Sequence, residues 1–272
     1  MFDVRCSMFD VESFRNRKGT SLMQAFLTLT RRELAVYFMS ITGYVIIAAA
    51  SFLVGFSFVV LIADQGNKPT PMPITETFYL TAFFWIILLL STPVITMRLF
   101  AQEKATGTFE TLMTTPVTEF QVVLAKFTAA QFFYLLMWLP LPLCLWVVQR
   151  FSGGPTGLDW GTLGTTYLGI LLLGGVFISL GCLASALTRT QMVAAMISLA
   201  AGFSIFLLSF LPDRLPGLAP WQAQLLASFA LPDQMHDFTR GVLDTRPIVF
   251  YLSLTFLFLF LTLRAVESRR WK

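Results

Sequence analysis

Six apolar runs, each close to the roughly 20 residues that a helix needs to cross about 30 Å of hydrocarbon, limit what this chain can fold into. The runs are apolar on every face, whereas strands of a membrane barrel alternate in polarity over about ten residues. Only 12% of the 272 residues are charged, far below the roughly 25% of soluble domains. We therefore predict an all-α integral membrane protein with six transmembrane helices. They are expected at 41–63, 78–97, 122–148, 162–187, 192–211 and 248–266.

Lysine and arginine are distributed unevenly among the segments that flank these helices, and this bias predicts their orientation. The richer set of segments contains Arg5, Arg15, Arg17, Lys18, Arg31, Arg32, Arg98, Lys104, Lys126, Arg189, Arg264, Arg269, Arg270 and Lys272. The poorer set contains Lys68, Arg150, Arg214, Arg240 and Arg246. Cytoplasmic segments carry the excess of positive charge, so both termini are predicted to be cytoplasmic.

The chain before the first apolar run divides into two parts. Residues 1–22 lack the apolar core of a signal peptide and are predicted to be a polar cytoplasmic extension, with Met23 as a candidate natural start. Residues 23–40 repeat apolar side chains at helical spacing beside Arg31, Arg32 and Glu33. This pattern predicts an amphipathic connecting helix in the membrane interface, the alternative being a cytoplasmic extension of the first span. The transmembrane domain then covers 41–272.

A charged cytoplasmic loop at 98–121 separates the second span from the third. Glu103 and Lys104 are expected to project into the cytoplasm, and Gly107 permits a sharp bend. The loop is therefore a candidate contact surface for another protein. An ordinary polar connector is an equal alternative on physical grounds, because connecting segments are polar in any case.

The second half of this loop predicts a short exposed helix. Thr108 is a candidate N-cap for a helix that includes Glu110 and Leu112, and Pro116 ends it. Thr118 and Gln121 have the spacing of a capping box that starts the third span. Together these signals predict an elbow with a short helix at its tip.

Several further patterns concern the helices and the external side. Pro140 and Pro142 should kink or interrupt the third span. Small residues spaced four apart in the fourth span predict close helix contacts, either within the chain or at a dimer seam. The external region 212–247 should contain a re-entrant or interfacial helix at 221–230. After that helix, side chains of alternating sign are expected to form a local ionic network: Asp237, Arg240, Asp244 and Arg246.

The chemistry expected of an enzyme or an ion-coupled carrier is missing from the sequence. Ionisable residues cluster at the ends of the predicted spans, which disfavours proton- or ion-coupled transport. The sequence contains no phosphate-binding loop, zinc motif or nucleophile triad, and no basic stripe with interleaved aromatic residues for nucleic acid. We expect a protein that is not catalytic by itself, binds no cofactor or metal, and takes energy from another chain.

The sequence around the charged loop resembles a known family. MRLFAQEKATGTFETLMTTPVTEFQVVLAKF, at 97–127, is similar to the cytoplasmic loop of permease subunits in type-2 ATP-binding-cassette (ABC) exporters, and most closely to that of the gliding-motility permease group. Similar stretches are RRELAVYFMSITGYV near the start, GCLASALTRTQMVAA, and FTRGVLDTRPIVFYLSLTFLFLFLTLRAVESRRW near the end. The resemblance extends over about 23–271.

The resemblance implies a multi-pass permease of the inner membrane that pairs with a second identical or related permease and with two ATPase subunits. Those subunits would bind ATP and Mg, and this chain would bind neither. The residues implied to form the coupling region on the ATPase are Glu103, Lys104, Gly107, Thr108, Glu110, Leu112 and Pro116. Gln102 departs from the family pattern, which often has an acid at this position.

Three functional hypotheses follow. The first is export of an unidentified substrate across the membrane, driven by the partner ATPase, with an amphiphilic or lipid-like cargo favoured by the apolar and aromatic residues of the spans. The second is a mechanical transmitter that uses the same coupling to act on an external or periplasmic partner without moving cargo. The third is a passive assembly scaffold, in which replacing Glu103 and Glu110 would leave an associated ATPase unaffected.

Overall fold

The computed structural model describes residues 22–65, 74–107, 118–151, 160–210 and 229–268, and these residues form helices and no strand. In chain order the helices are α1 (Leu22–Met39), α2 (Ile41–Gln65), α3 (Ile74–Leu80), α4 (Ala82–Thr96), α5 (Ala101–Thr106), α6 (Glu119–Met137), α7 (Pro140–Phe151), α8 (Trp160–Leu187), α9 (Gln191–Leu208), α10 (Leu231–Thr239) and α11 (Thr245–Glu267).

Six stretches in this part of the chain are long and apolar enough to cross a membrane, which confirms the number predicted. They are Ile41–Asp64, Ala82–Thr106, Glu119–Arg150, Trp160–Leu187, Gln191–Leu208 and Thr245–Glu267. Each overlaps its predicted run, because uniform apolarity over about 20 residues is a strong signal. The second stretch combines α4 with α5, and the third combines α6 with α7.

The fourth span, α8, is the central helix of the bundle. Of its most apolar 18-residue window, 83% is buried inside the protein, compared with 11% for α11 and 17% for α9. Helix α8 contacts α4, α5, α6, α9, α10 and α11. A displacement of α8 would therefore change its contacts with most of the other helices.

Small residues allow α8 to lie close to its neighbours. A Cβ at Gly181 would overlap the side chain of Thr96 on α4, and a Cβ at Gly174 would overlap the ring of Tyr134 on α6. At these two positions the small residues serve contacts within the chain, which was one of the two predicted alternatives.

The predicted interruption of the third span is confirmed. Helix α6 ends at Met137, and α7 begins at Pro140 after a turn at Trp138 and Leu139. Proline lacks a backbone N–H and cannot continue the hydrogen-bond ladder of a preceding helix, so the break falls immediately before it.

Helix α1 is present close to the predicted range 23–40, and it packs along α6. The ring of Tyr37 stacks on Phe133 with centroids 4.7 Å apart, and the Tyr37 hydroxyl donates to the carbonyl of Ile95 over 3.0 Å. These contacts fasten α1 to two spans; its placement in a membrane interface stays a prediction. The predicted extension at 1–22 lies outside the described residues except for Leu22, and the predicted helix at 221–230 does so except for its last two.

Candidate functional site

A buried lysine at one end of the bundle joins three separate parts of the chain. The side chain of Lys126 on α6 is 2% exposed. Its Nζ lies 3.1 Å from Glu33 Oε2 on α1 and 2.7 Å from Glu103 Oε1 on α5. We call Glu33, Glu103 and Lys126 the lysine cluster.

Two neighbours complete the surroundings of the lysine cluster. The Lys126 ammonium lies 5.5 Å from the centroid of the Phe100 ring, within range of a cation–π interaction. Arg32 Nη2 lies 2.7 Å from Glu33 Oε1 and 3.8 Å from Glu103 Oε1. The Arg32 side chain is 52% exposed, so water screens its ion pairs and they add little to stability.

The local sequence explains how Lys126 reaches its partners. Thr118 Oγ1 accepts from the Gln121 backbone N–H over 3.4 Å, and Gln121 Oε1 accepts from the Thr118 N–H over 3.2 Å. This confirms the predicted capping box and fixes where α6 begins. Lys126 then falls about two helical turns after the start, on the face that packs against α1.

Helix α5 is also fastened to the end of α8. The backbone N–H groups of Phe100 and Ala101 both donate to Ser185 Oγ over 3.0 Å. Lys104 Nζ donates to the carbonyl of Ala186. The start of a helix leaves N–H groups without helical partners, and Ser185 satisfies two of them from another span. Helix α5 therefore lies between the lysine cluster and the central helix.

Gly107 ends α5 in the left-handed conformation, with φ of +72°, which confirms the predicted bend. Glycine adopts this conformation without the steric cost that a Cβ brings. The other predicted coupling residues, Thr108, Glu110, Leu112 and Pro116, lie outside the described residues.

The environment of Glu103 and Lys104 corrects the sequence-based expectation that both project into the cytoplasm. Glu103 turns toward Lys126, and Lys104 turns toward α8. Sequence reasoning counts Lys126 only among the charges that flank the membrane, although it falls inside the predicted run 122–148. The sequence signal for this contact is a lysine within an apolar run. A lysine is costly to bury there, so a partner of opposite charge is expected.

The residues predicted near the connecting helix and the external side are placed as follows. Arg31 is exposed on α1, whereas Arg32 and Glu33 join the contacts around Lys126. Asp244 caps α11 by accepting from the Arg246 backbone N–H over 3.1 Å. The carbonyl of Asp237 accepts from the Arg240 and Val242 N–H groups.

At the opposite end of the bundle, a second buried carboxylate pairs with Arg240. Glu76 on α3 is 1% exposed, and its Oε1 accepts from Arg240 Nη2 over 2.8 Å and Nε over 3.1 Å. His236 Nε2 lies 2.7 Å from the same oxygen. The hydrogen bond from Arg240 is the main cause that lowers the pKa of Glu76, and it raises the pKa of Arg240 in turn. Sequence reasoning missed Glu76, which is 164 residues away from Arg240.

The lysine cluster is suited to holding helices in register. The attraction between the two carboxylates and the ammonium offsets the free-energy cost of burying them only while all three remain in contact. Separating them is therefore unfavourable. The cluster connects α1, α5 and α6, and Ser185 extends the connection to α8.

A family model described as ABC-2 family transporter protein matches residues 62–265, about three quarters of the chain. The chain belongs to the ABC-2 transporter family. This permease is therefore a membrane component of an ABC transporter, and its family implies partnership with an ABC ATPase subunit. The match includes Glu103 and Lys126 and begins after α1, so Glu33 lies outside it. No curated protein matches the chain.

Proposed function

We propose that this chain is the permease subunit of an ATP-driven exporter and that segment 98–121 receives movement from a separate ATPase. The lysine cluster is the observation that supports this proposal most directly. Through Lys126, the first part of the segment is joined to α1 and to the start of the third span. A flexible polar connector would not need to bury a lysine between two carboxylates.

The contacts of α5 supply a route from the segment to the transmembrane helices. Ser185 and Ala186 belong to the end of α8, which contacts most of the other spans. A push on α5 would reach α8 through Ser185 and reach α1 and α6 through Lys126. Packed helices respond to such a push by shifting between discrete arrangements, here inward- and outward-facing states.

The assembly we propose contains two ATPase subunits, which bind ATP and Mg, and a second identical or related permease. The Lys126 end of the bundle and both termini face the cytoplasm, and the protein lies in the inner membrane. The resemblance to the gliding-motility permease group and the excess of lysine and arginine at this end support these assignments. The cargo is an amphiphilic molecule, in keeping with the apolar and aromatic span surfaces.

The test is ATP hydrolysis by the complex purified with its ATPase. Glu103→Gln should lower permease-dependent stimulation of hydrolysis several-fold, because the link to Lys126 is weakened. Glu267→Gln is a matched control, since Glu267 pairs with exposed Arg264 at the same end of the bundle. Equal stimulation in both variants, with intact assembly, would contradict coupling through α5 and favour a passive scaffold.

Reconstitution in vesicles separates export from mechanical transmission. The proposal predicts that ATP hydrolysis moves an amphiphilic probe, such as a fluorescently labelled phospholipid, between leaflets or across the membrane. ATP turnover without movement of a panel of such probes, but dependent on an added external protein, would instead support the mechanical transmitter.

A further inference from the structure

A cavity of about 560 Å³ lies beside the lysine cluster, between α1, the first turn of α2 and the segment that follows α4. Its polar wall includes Arg98, Ser40 and Thr42, and its apolar wall includes Val36, Ile46 and Val94. Val36 and Val94 are 50% and 37% exposed. The cavity therefore combines a polar wall with an apolar wall whose side chains are accessible.

Arg98 differs from the other cations of this cavity because its hydrogen bonds go to neutral groups. Its Nη1 donates to Ser40 Oγ over 2.8 Å and to Thr42 Oγ1 over 2.5 Å. Its Nε is buried and has no hydrogen-bond partner within the described residues. Arg98 makes no ion pair in that part of the chain either, whereas Arg32 and Lys126 both contact carboxylates. A partly buried guanidinium whose hydrogen bonds go only to neutral hydroxyls favours an anion.

The net charge of the side chains that line the cavity also favours an anion. Three cationic side chains, those of Arg32, Arg98 and Lys126, line it with only two carboxylates, Glu33 and Glu103. The first turn of α2 also lines it through Thr42 and Gly43, with Ser40 directly before the helix, and the start of a helix carries partial positive charge. Tyr37, another lining residue, carries a phenol that is uncharged near neutral pH, and burial raises its pKa further.

We infer that this cavity binds the phosphate group of an anionic phospholipid, with Arg98 as its main cationic contact and the acyl chains along Val36 and Val94. Helix α4 ends at Thr96, two residues before Arg98, and charged residues follow in α5, so a headgroup at the level of the membrane surface would meet the guanidinium. The volume is in the range of pockets that hold small ligands. A free phosphate ion shares the charge but would leave the apolar wall unused.

The inference requires a membrane-embedded chain but not coupling to an ATPase, so the two proposals fail independently. An occupied cavity would place a phosphate beside α1, α2 and Arg98, next to the lysine cluster. Bound lipid would thus brace the same end of the bundle that Lys126 holds together.

Binding to the full-length protein in detergent tests the inference, with native mass spectrometry and thermal unfolding as two readouts. The probes are dioctanoyl phosphatidylglycerol, dioctanoyl phosphatidylcholine and inorganic phosphate. We expect saturable binding of the phosphatidylglycerol with a rise in melting temperature, weaker binding of the phosphatidylcholine, and no comparable shift with phosphate alone. Arg98→Gln should weaken phosphatidylglycerol binding by about tenfold or more.

Arg264→Gln is the matched control, because Arg264 is an exposed arginine at the same end of the bundle. It should bind phosphatidylglycerol like the unmodified protein. Equal affinity of Arg98→Gln and Arg264→Gln would overturn the assignment to this cavity. Equal binding of both lipids would overturn recognition of an anionic headgroup, and an equal shift with inorganic phosphate would overturn the lipid as its source. The lipid comparison uses the unmodified protein, so it decides the question even where Arg98→Gln fails to fold.

Discussion

Lys126 Nζ lies 2.7 Å from Glu103 Oε1, although the two residues belong to different candidate spans and are 23 positions apart. The ion pair is almost fully enclosed, since the lysine side chain is 2% exposed and the glutamate side chain 19%. A buried pair of this kind is costly to break from one side, because the remaining partner keeps its charge without compensation. The pair therefore makes the position of α5 depend on that of α6.

Removing the cation should destabilise the protein strongly. Lys126→Met leaves the buried Glu33 and the largely enclosed Glu103 with exposed Arg32 as the cation that they still share, and we expect a loss of about 3–5 kcal/mol. Thermal unfolding in detergent, followed by tryptophan fluorescence, measures it. Removing all three charges in the triple variant Glu33→Gln, Glu103→Gln, Lys126→Met should recover much of that loss. A triple variant as unstable as Lys126→Met would show that packing, and not charge, dominates.

Ser185→Ala should loosen α5 from the central helix. The substitution leaves the buried N–H groups of Phe100 and Ala101 without their acceptor, at a cost of about 1–3 kcal/mol. Hydrogen exchange at 100–107 should therefore become faster, while exchange in the middle of α8 changes little. Ser204→Ala is the control, because that hydroxyl is exposed and bonds within its own helix. Unchanged exchange at 100–107 would mean that other contacts hold α5.

Gly181→Ala should disturb the contact between α8 and α4. The added Cβ would overlap Thr96, whose side chain is buried, and we expect a loss of about 1–3 kcal/mol in unfolding experiments. Gly55→Ala provides the comparison, since a Cβ on that helical glycine meets nothing within 4 Å. Alanine at position 55 should be neutral or slightly stabilising, because it favours the helix. Similar melting temperatures for the two variants would contradict a tight α4–α8 contact.

The Glu76–Arg240 pair predicts how stability depends on pH. Because the folded-state pKa of Glu76 is lowered from its ordinary value of 4.5, its contribution is complete above that value and is lost as the pH falls through the folded pKa. The difference in melting temperature between the unmodified protein and Glu76→Gln should be larger near neutral pH than below about pH 4.5, where it shrinks. Glu267→Gln, at an exposed pair, should show a much smaller difference throughout.

Features that depend on local sequence were predictable. Uniformly apolar runs located the six spans, Pro140 located the break in the third, and Thr118 with Gln121 located the start of α6. Gly107 marked the bend because a left-handed residue after a helix is most often glycine. Each of these signals acts over a few residues or through composition alone.

Pairs that depend on helix packing were not predictable in the same way. Glu33 and Lys126 are 93 positions apart, and nothing between them indicates that α1 lies against α6. The alternating charges at 237–246 suggested a local network, yet Arg240 bonds to Glu76 on a helix far away in sequence. A buried charge selects its partner from whatever the fold brings near, and a single sequence carries no record of that arrangement.

The positions of the three members of the lysine cluster along the chain have a consequence for biogenesis. Glu33 and Glu103 leave the ribosome before Lys126, so two carboxylates exist for a time without the cation that they share. During that interval they stay hydrated, because burial without Lys126 is too costly. Helix α1 can therefore pack in its final position only after the third span has been synthesised. Docking of the first helix is then expected to follow synthesis of that span and not to precede it.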